Sequence, residues 1–254
     1  MPQVPAATRA LEVLRLLSAA PGPMTAQGIA RALAVPRSST YHLLDAMRAS
    51  GFVVNVEGRW GLGVAAFEVG AAYARHDPLV RLATPMLRGL LRSLGRHPAV
   101  AYLAVLHGAE TLYVAKHENG RLDVVTEVGV RLPAALTASG RAMLAAMPMS
   151  QARAMMATPT AFVDRTGRGP RDWGALRAML ERDATQGWSE EDGYITEGFA
   201  SLAVPVRNHV HLPVAALGVT FASDTTGARQ RESLVRVLRG GAHTLSQRLG
   251  ERAA

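Results

Sequence analysis

The stretch VPRSSTYHLLDAM, residues 35–47, combines small hydroxyl side chains with basic and aromatic ones at the start of a helical pattern. On a helix, its apolar residues form one buried stripe and leave a small, hydrogen-bonding first turn on the opposite side. Such a turn lets the backbone approach a phosphate, because free amides and the positive helix end attract anions. Side chains beside it then reach base edges in a DNA groove. The residue types therefore favour duplex recognition by Arg37, Ser38, Ser39, Tyr41 and His42.

The elements that must position this stretch form a recognisable series. Thr8 is expected to cap a first helix and Thr25 a second, and Pro36 suits the first position of the third. The segment FVVNVEGRWGLG that follows predicts a β-hairpin with Glu57 and Gly58 at its tip. Three helices followed by a hairpin are the layout of a winged helix-turn-helix.

Arg59 lies beside the predicted hairpin tip, where a basic side chain would contact the DNA backbone or minor groove. A solvated arginine on a hairpin is the alternative, just as Ser38 and Ser39 alone would fit the cap of an ordinary surface helix. The three helices and the hairpin taken together favour DNA binding. We also expect Thr25, at the start of the second helix, to contact DNA. The local charge agrees, since residues 1–63 hold six arginines against three acidic residues.

The composition predicts a cytoplasmic protein with an anionic partner. The 254 residues are 48% hydrophobic, contain no cysteine, and carry a formal net charge of +8. No apolar run approaches the roughly 20 residues of a membrane helix, and the N-terminus lacks the pattern of a secretion signal. We therefore expect neither disulfides nor membrane association. The basic balance favours nucleic acid or an acidic small molecule as partner.

The remainder of the chain predicts a second domain of mixed structure. An alanine-rich helical pattern over residues 64–78 indicates a linker helix. The run AVAYLAVLHGAETLYVAKHENGRLDVVTEVG then predicts three strands, and helices and two further strands follow. This order indicates an α+β domain around an antiparallel sheet. We predict a winged helix-turn-helix domain over residues 1–63, the linker, and a second domain over residues 79–254.

Several motifs resemble one known family. ALEVLRLL, TAQGIARALAVPRSSTYHLLDAMRASGFV and GRWGLG resemble the DNA-binding half of the IclR family of bacterial transcriptional regulators. VGVRLPAALTASGRAMLAAMP and GFASLAVPVRN resemble its second half, so the likeness extends over residues 8–249. The resemblance implies a winged helix-turn-helix, a linker helix and a GAF-like domain that senses a small molecule. It also implies homodimers, or dimers of dimers, on palindromic double-stranded operators, with no cofactor.

The resemblance further implies a pocket between the sheet and the loops around LPAALTASG and EEDGYITEGFAS. A helix N-terminus with free amides would suit a carboxylate there, so we expect a small organic or aromatic acid. In the alternative, TASG is only a helix cap and SEEDG a solvated acidic turn. The residues implied to bind the effector are Leu132, Ala138, Ser139, Gly140, Glu191, Ser201, Gly218 and Thr220.

Three positions depart from the family pattern. His42 stands where the recognition helix often has arginine, and its charge depends on pH. Trp60 replaces a common tyrosine of the wing. Tyr194 stands where a glutamate often precedes the glycine of GFAS by four residues, which changes the expected chemistry of the pocket.

Two other functions are possible alternatives. An enzyme fused to a DNA-binding module would need a nucleophile in a titratable cluster, but neither Ser-x-x-Lys nor Gly-x-Ser-x-Gly is present. The sequence HVH at residues 209–211 lacks a nearby third metal ligand and falls where a hairpin turn is expected. We therefore expect no catalytic residue and no metal. An assembly protein without an effector would fill the pocket with large side chains, whereas Ala138, Ser139, Gly218 and Thr220 are small.

Overall fold

The structure is a computed structural model that describes residues 4–95 and 97–250. The chain divides into two compact units, Met1–His76 and Asp77–Ala254. The first unit contains α1 (Pro5–Ala19), β1 (Met24–Thr25), α2 (Ala26–Ala32), α3 (Arg37–Ala49), β2 (Val53–Val56), β3 (Arg59–Leu62) and α4 (Val64–His76). The second contains α5 (Pro78–Ser93), β4 (Ala99–His107), β5 (Glu110–Glu118), β6 (Arg131–Pro133), α6 (Ala138–Ala145), α7 (Met149–Met155), α8 (Trp173–Gln186), β7 (Ser189–Asp192), β8 (Phe199–Arg207), β9 (Pro213–Ala222) and α9 (Ala228–Gly250).

The boundary between the units falls within the region predicted as a linker helix, residues 64–78. The helix α4 ends at His76, and the Asp77 side chain begins α5 by accepting a hydrogen bond from the amide three residues later. The outer ends of the predicted domains, residues 1–3 and 251–254, lie outside the described residues. No helix in the described parts of the chain is long and apolar enough to cross a membrane.

The start of α1 differs from the sequence prediction, whereas the start of α2 agrees with it. The cap of α1 is Val4, and Pro5 takes the first helical position that suits proline. Thr8 lies inside the helix, where its hydroxyl donates to the Val4 carbonyl at 3.4 Å, so its prediction as a cap is wrong. Thr25 caps α2 as predicted, with its hydroxyl accepting from the Gly28 amide at 3.1 Å.

The predicted β-hairpin is confirmed. The register pairs Val56 with Arg59, which leaves Glu57 and Gly58 as a two-residue turn. Both turn residues have positive φ angles, 52° and 78°, as a type I′ hairpin turn requires. The two-residue strand β1 adds to the same sheet and was not predicted, because two residues are too short to show a period.

The core of the first unit fixes α3 against the hairpin. Thr40, Leu44 and Met47 are buried on α3, and the partly buried Leu43 packs against the same core, which confirms the predicted stripe. Trp60 of β3 is also buried in this core and anchors the hairpin to the helices. The apolar side of α3 is therefore fixed by packing, so its first turn keeps a defined direction.

The second unit is built around an antiparallel sheet of six strands in the order β6-β5-β4-β9-β8-β7. The helices α5 and α9 pack on one face, against side chains such as Leu103 and Leu217. The helix α6 packs on the other face, and α8 packs in turn on α6. Along β4, Leu103 faces α5 and α9, whereas Tyr102 and Ala104 face the opposite side. The predicted α+β class with an antiparallel sheet is confirmed.

One prediction and one alternative for the second unit are wrong in detail. The third strand expected within residues 121–128 is absent, and that segment has no regular secondary structure before β6. The acidic SEEDG sequence forms the strand β7 rather than a solvated turn, with Ser189 and Glu191 buried. Its strand character comes from pairing with β8, where Glu191 lies opposite Ser201. The helix α7 was also missed.

Candidate DNA-binding face and effector cavity

The first turn of α3 is exposed and lacks a side-chain cap. Pro36 occupies the N-cap position, and it has no side-chain oxygen to accept from the first amides. Arg37, Ser38, Tyr41 and His42 are exposed, while Ser39 is half-buried. The alternative in which the serines serve as caps is therefore wrong. This turn presents backbone amides, hydroxyls and one guanidinium to solvent, a combination that attracts anions.

Two further residues of the predicted DNA-facing set lie at the small sheet of the first unit. Arg59 is exposed on β3, where one guanidinium nitrogen donates to the Pro23 carbonyl at 3.4 Å. Thr25 pairs with Arg59 in the sheet register, so these two residues are neighbours. The Thr25 hydroxyl oxygen accepts the capping bond of α2, which leaves its proton free to donate.

A narrow cavity lies in the second unit between the strand face that carries Tyr102 and the start of α6. Its free volume is only about 10 Å³, which is room for one water molecule at most. A ligand of ordinary size therefore enters only if side chains move. The lining residues are Tyr102, Tyr113, Val124, Val125, Thr126, Thr137, Ala138, Glu191, Ile195, Thr196, Phe199, Ser201 and Thr220.

Four of the eight residues implied to bind the effector line this cavity. They are Ala138, Glu191, Ser201 and Thr220. Glu191, Ser201 and Thr220 reach one place because β7, β8 and β9 are adjacent strands and because Ser201 is paired with both of the others. Ala138 is the first residue of α6.

The other four residues, Leu132, Ser139, Gly140 and Gly218, do not line the cavity. Leu132 packs against Tyr102 and Tyr113 rather than facing the space between them and α6. The Ser139 hydroxyl is buried next to the Tyr113 phenol and forms no hydrogen bond within the described residues. The family resemblance implied that all four residues line the pocket. In the structure they instead pack against other residues of the second unit.

Gly140 and Gly218 are sites of close packing. A Cβ atom on Gly140 would lie 2.3 Å from the Ala134 carbonyl oxygen, so α6 is pressed onto that loop. Its amide donates to the Thr137 hydroxyl at 3.0 Å and is not free for a carboxylate. A Cβ atom on Gly218 would lie 2.4 Å from the Tyr102 ring, which therefore fills the space that a small residue was expected to leave open.

Hydrogen bonds join the polar residues of the cavity into one network that ends at Glu191. The Ser201 hydroxyl donates to one carboxylate oxygen of Glu191 at 2.7 Å. The other carboxylate oxygen accepts from the Tyr194 amide at 3.0 Å. The Thr220 hydroxyl lies 2.9 Å from the Ser201 hydroxyl, and the Tyr102 phenol lies next to both.

Burial controls the ionisation of this network. It raises the pKa of Glu191 to about 7, although the hydrogen bonds from Ser201 and Tyr194 and the charge of Arg141 lower it. The pKa of Tyr102 lies well above its ordinary value because of burial, and the neighbouring Tyr113 and Glu191 raise it further. Burial also raises the pKa of Tyr113. The phenols of Tyr102 and Tyr113 are therefore neutral at physiological pH, and Glu191 is the group that titrates.

The two tyrosines were missed in the sequence-based prediction of the site. Their rings meet edge to face with centroids 4.9 Å apart and planes at 89°. Tyr102 lies opposite Gly218 in the sheet register, which explains how its ring fits over that strand. The available signal was one tyrosine in each of the two strands, with the tyrosine of β4 among aliphatic residues.

A second missed feature is the fully buried ion pair of Arg141 with Asp183, at 3.2 Å. The guanidinium also donates to the carbonyls of Ala135, Leu136 and Glu190. It lies 5.4 Å from the centre of the Tyr194 ring. Arg141 therefore ties α6 to β7 and to the loop that carries Tyr194.

The fold and the comparisons with known proteins agree. The family model described as bacterial transcriptional regulator IclR C-terminal matches residues 71–247, and that of the IclR helix-turn-helix domain matches residues 6–57. The glycerol operon regulatory protein of Streptomyces griseus is 31% identical over 250 residues, 95% of each chain. That of Streptomyces coelicolor is 29% identical over 249 residues, again 95% of each.

A solved structure is similar over nearly the whole chain. It is an IclR homolog from Microbacterium hydrocarbonoxydans complexed with 4-hydroxybenzoate, with a TM-score of 0.78 and 25% identity. The match covers 98% of this chain and 100% of that one. Together with the fold, these matches define a transcriptional regulator that has a DNA-binding helix-turn-helix and a C-terminal effector-binding domain. The chain belongs to the IclR family.

Proposed function

We propose that this regulator reads its operator by placing the first turn of α3 in the major groove. Ser38, Ser39, Tyr41 and His42 would contact base edges. Arg37 and Arg59, with Thr25 beside the latter, would contact the DNA backbone. The observation that carries this proposal is the exposed, uncapped first turn of α3, whose opposite side is held in a core.

We also propose that the regulator works as a homodimer, alone or in pairs, on a palindromic operator. The predicted linker region, residues 64–78, would join the DNA-binding domain (residues 1–63) to the effector domain (residues 79–254). The helix α4 has no buried residue, and Val64 and Phe67 are 67% and 75% exposed. A second copy of the chain would cover this apolar face, and a two-fold dimer matches a palindromic site.

The cavity of the second unit is proposed as the effector site. Because its free space is narrow, a ligand would bind only after its walls move apart. The irregular segment that supplies Val124, Val125 and Thr126 is the wall with the fewest backbone constraints. Binding would then shift the population between operator-competent and operator-incompetent states of the dimer.

The narrow cavity also supports a second candidate, a DNA-binding assembly protein without an effector. In that case Tyr102 would be a permanent part of the core above Gly218. A small organic or aromatic acid remains our first proposal, supported by the similar protein that is complexed with 4-hydroxybenzoate. We further propose that the chain has no enzymatic activity and acts in the cytoplasm, where the bacterial chromosome is found.

The DNA-binding proposal is tested with Arg37→Ala. Removing one phosphate contact per subunit should weaken binding to operator and random DNA alike. It should also reduce the slope of log K against log salt by about one per subunit. Arg48→Ala is the matched control, because Arg48 lies at the other end of α3 and pairs with Asp45 at 3.2 Å. Fluorescence anisotropy across a salt series measures both variants, and an unchanged slope in Arg37→Ala would remove it from the DNA contacts.

A further inference from the structure

The two hydroxyl groups next to Glu191, those of Ser201 and Thr220, already use their protons within the wall of the cavity. A hydroxyl group has one proton to donate, and that of Ser201 goes to Glu191. The contact between Ser201 and Thr220 must then run from Thr220 to Ser201. The wall around Glu191 therefore offers a ligand lone pairs on the carboxylate and the Thr220 oxygen, but not the protons of these two hydroxyls.

The charge of this wall also disfavours a ligand carboxylate next to Glu191. Among the described residues that line the cavity, Glu191 is the only one with an acidic or basic side chain. Arg141 lies near enough to lower the pKa of Glu191, but its guanidinium is committed to Asp183 and to backbone carbonyls. A carboxylate placed against Glu191 would meet a like charge in a buried site without a compensating cation.

We propose that the effector places a hydroxyl group, of an alcohol or a phenol, against Glu191, and that a carboxylate is excluded from this end of the cavity. The inference rests on the proposed effector function and specifies the chemistry of one end of the ligand. The hydroxyl donates to a free lone pair of the Glu191 carboxylate, and its oxygen lies near Thr220 and Tyr102. An effector that is also an acid carries its carboxylate away from Glu191.

The wild-type protein tests the inference directly. Purified full-length protein is screened at pH 8, where Glu191 is ionised, by thermal shift against polyols, phenols, hydroxy acids and mono- and dicarboxylic acids. The panel contains matched sets such as 4-hydroxybenzoate, benzoate and terephthalate, in which the hydroxyl is kept, deleted or replaced by a carboxylate. Calorimetry then compares the members of each set that contains a hit. We expect the hydroxyl compound to bind at least tenfold more tightly than the other two.

The variants Glu191→Gln and Glu197→Gln supply the residue-level control. Glu197 is exposed in the loop after β7 and does not line the cavity, so its variant should bind like wild type. Glu191→Gln should lose most of the tenfold preference, because the dicarboxylate no longer meets a negative charge. Circular dichroism checks that both variants are folded, and the wild-type comparison stands if Glu191→Gln is not.

The outcomes separate this inference from the proposed function. Hits that bind equally well without the hydroxyl, or better with a second carboxylate, overturn the inference and leave the effector role intact. A panel without any hit overturns the effector role and supports the assembly protein. Equal preferences in wild type and folded Glu191→Gln would remove Glu191 as the group that selects the hydroxyl.

Discussion

The single residue Gly218 allows the Tyr102 ring to narrow the cavity. Its missing side chain lets the Tyr102 ring lie on the neighbouring strand, where a Cβ atom would be only 2.4 Å away. From the sequence, the small residue indicated empty space. In the structure the space belongs to an aromatic ring from a different strand, which composition along one segment does not reveal.

Replacing this glycine tests the contact. Gly218→Ala should lower the free energy of unfolding by about 1–3 kcal/mol, because the buried ring has to move. Gly240→Ala is the control, since Gly240 lies in α9 and a methyl group added there would meet nothing within 4 Å. That substitution should be neutral or stabilising by up to about 1 kcal/mol through helix propensity. Urea denaturation measures both, and equal stabilities would show that Tyr102 does not rest on Gly218.

Glu191 gives a pH-dependent stability with a defined sign. Its pKa is raised to about 7 in the folded protein, above the ordinary value of 4.5, so the folded state holds the proton more tightly. The resulting stabilisation is complete below the unfolded pKa and is lost as the pH rises through 7. Between pH 5.5 and 8 the wild type should therefore lose about 2 kcal/mol more than Glu191→Gln.

Denaturation of both proteins at the two pH values measures this difference. Glu197→Gln is again the control and should follow the wild type, because it leaves the buried carboxyl in place. If the wild type and Glu191→Gln lose the same stability, the Glu191 carboxyl does not change protonation in this interval.

The single residues of the cavity were inferred through the family resemblance and not from a local pattern alone. Ala138, Glu191, Ser201 and Thr220 were placed in the site through motifs, and they do line the cavity. The partners that shape it were missed because they come from distant segments. Arg141 pairs with a residue 42 positions away, and no local pattern indicates that pair.

At the scale of elements, long periodic segments were predicted well and short ones were not. The helix α3 and the hairpin have clear periods and local turn signals, and both were found. The strands β1 and β7 owe their structure to partners far along the chain, Trp60 and Arg59 for β1 and the strand β8 for β7. The valine-rich segment predicted as a third strand instead supplies Val124 and Val125 to the wall of the cavity.

The exposed apolar face of α4 is expected to be covered by a second copy of the chain. Phe67→Ser should weaken dimerisation at least tenfold, because an aromatic side chain at the centre of an interface contributes more than its neighbours. The neighbouring Glu68 is also exposed, and Glu68→Gln should leave the dimer intact. Sedimentation over a concentration series measures association. Equal dimer constants for Phe67→Ser and wild type would place the interface elsewhere.

At the scale of the whole molecule, the chain joins a basic DNA-binding unit to a sheet domain with a narrow cavity. The net charge of +8 attracts DNA of any sequence and so supports encounter rather than specificity. Specificity has to come from the few side chains at the start of α3. The family and the fold could be inferred from ordered motifs along the chain, whereas the narrowness of the cavity follows only from packing in three dimensions.

The central claim is that the first turn of α3 reads duplex sequence, and selection of DNA fragments by the purified full-length protein tests it most directly. We predict enrichment of one palindromic sequence by wild type and by the control His209→Ala, whose residue is exposed in the turn after β8. His42→Ala should lose base preference at symmetric positions of that sequence while keeping its affinity for random DNA. Wild-type protein that enriches no sequence at moderate salt, or His42→Ala that selects the same sequence with undiminished preference, would contradict the account.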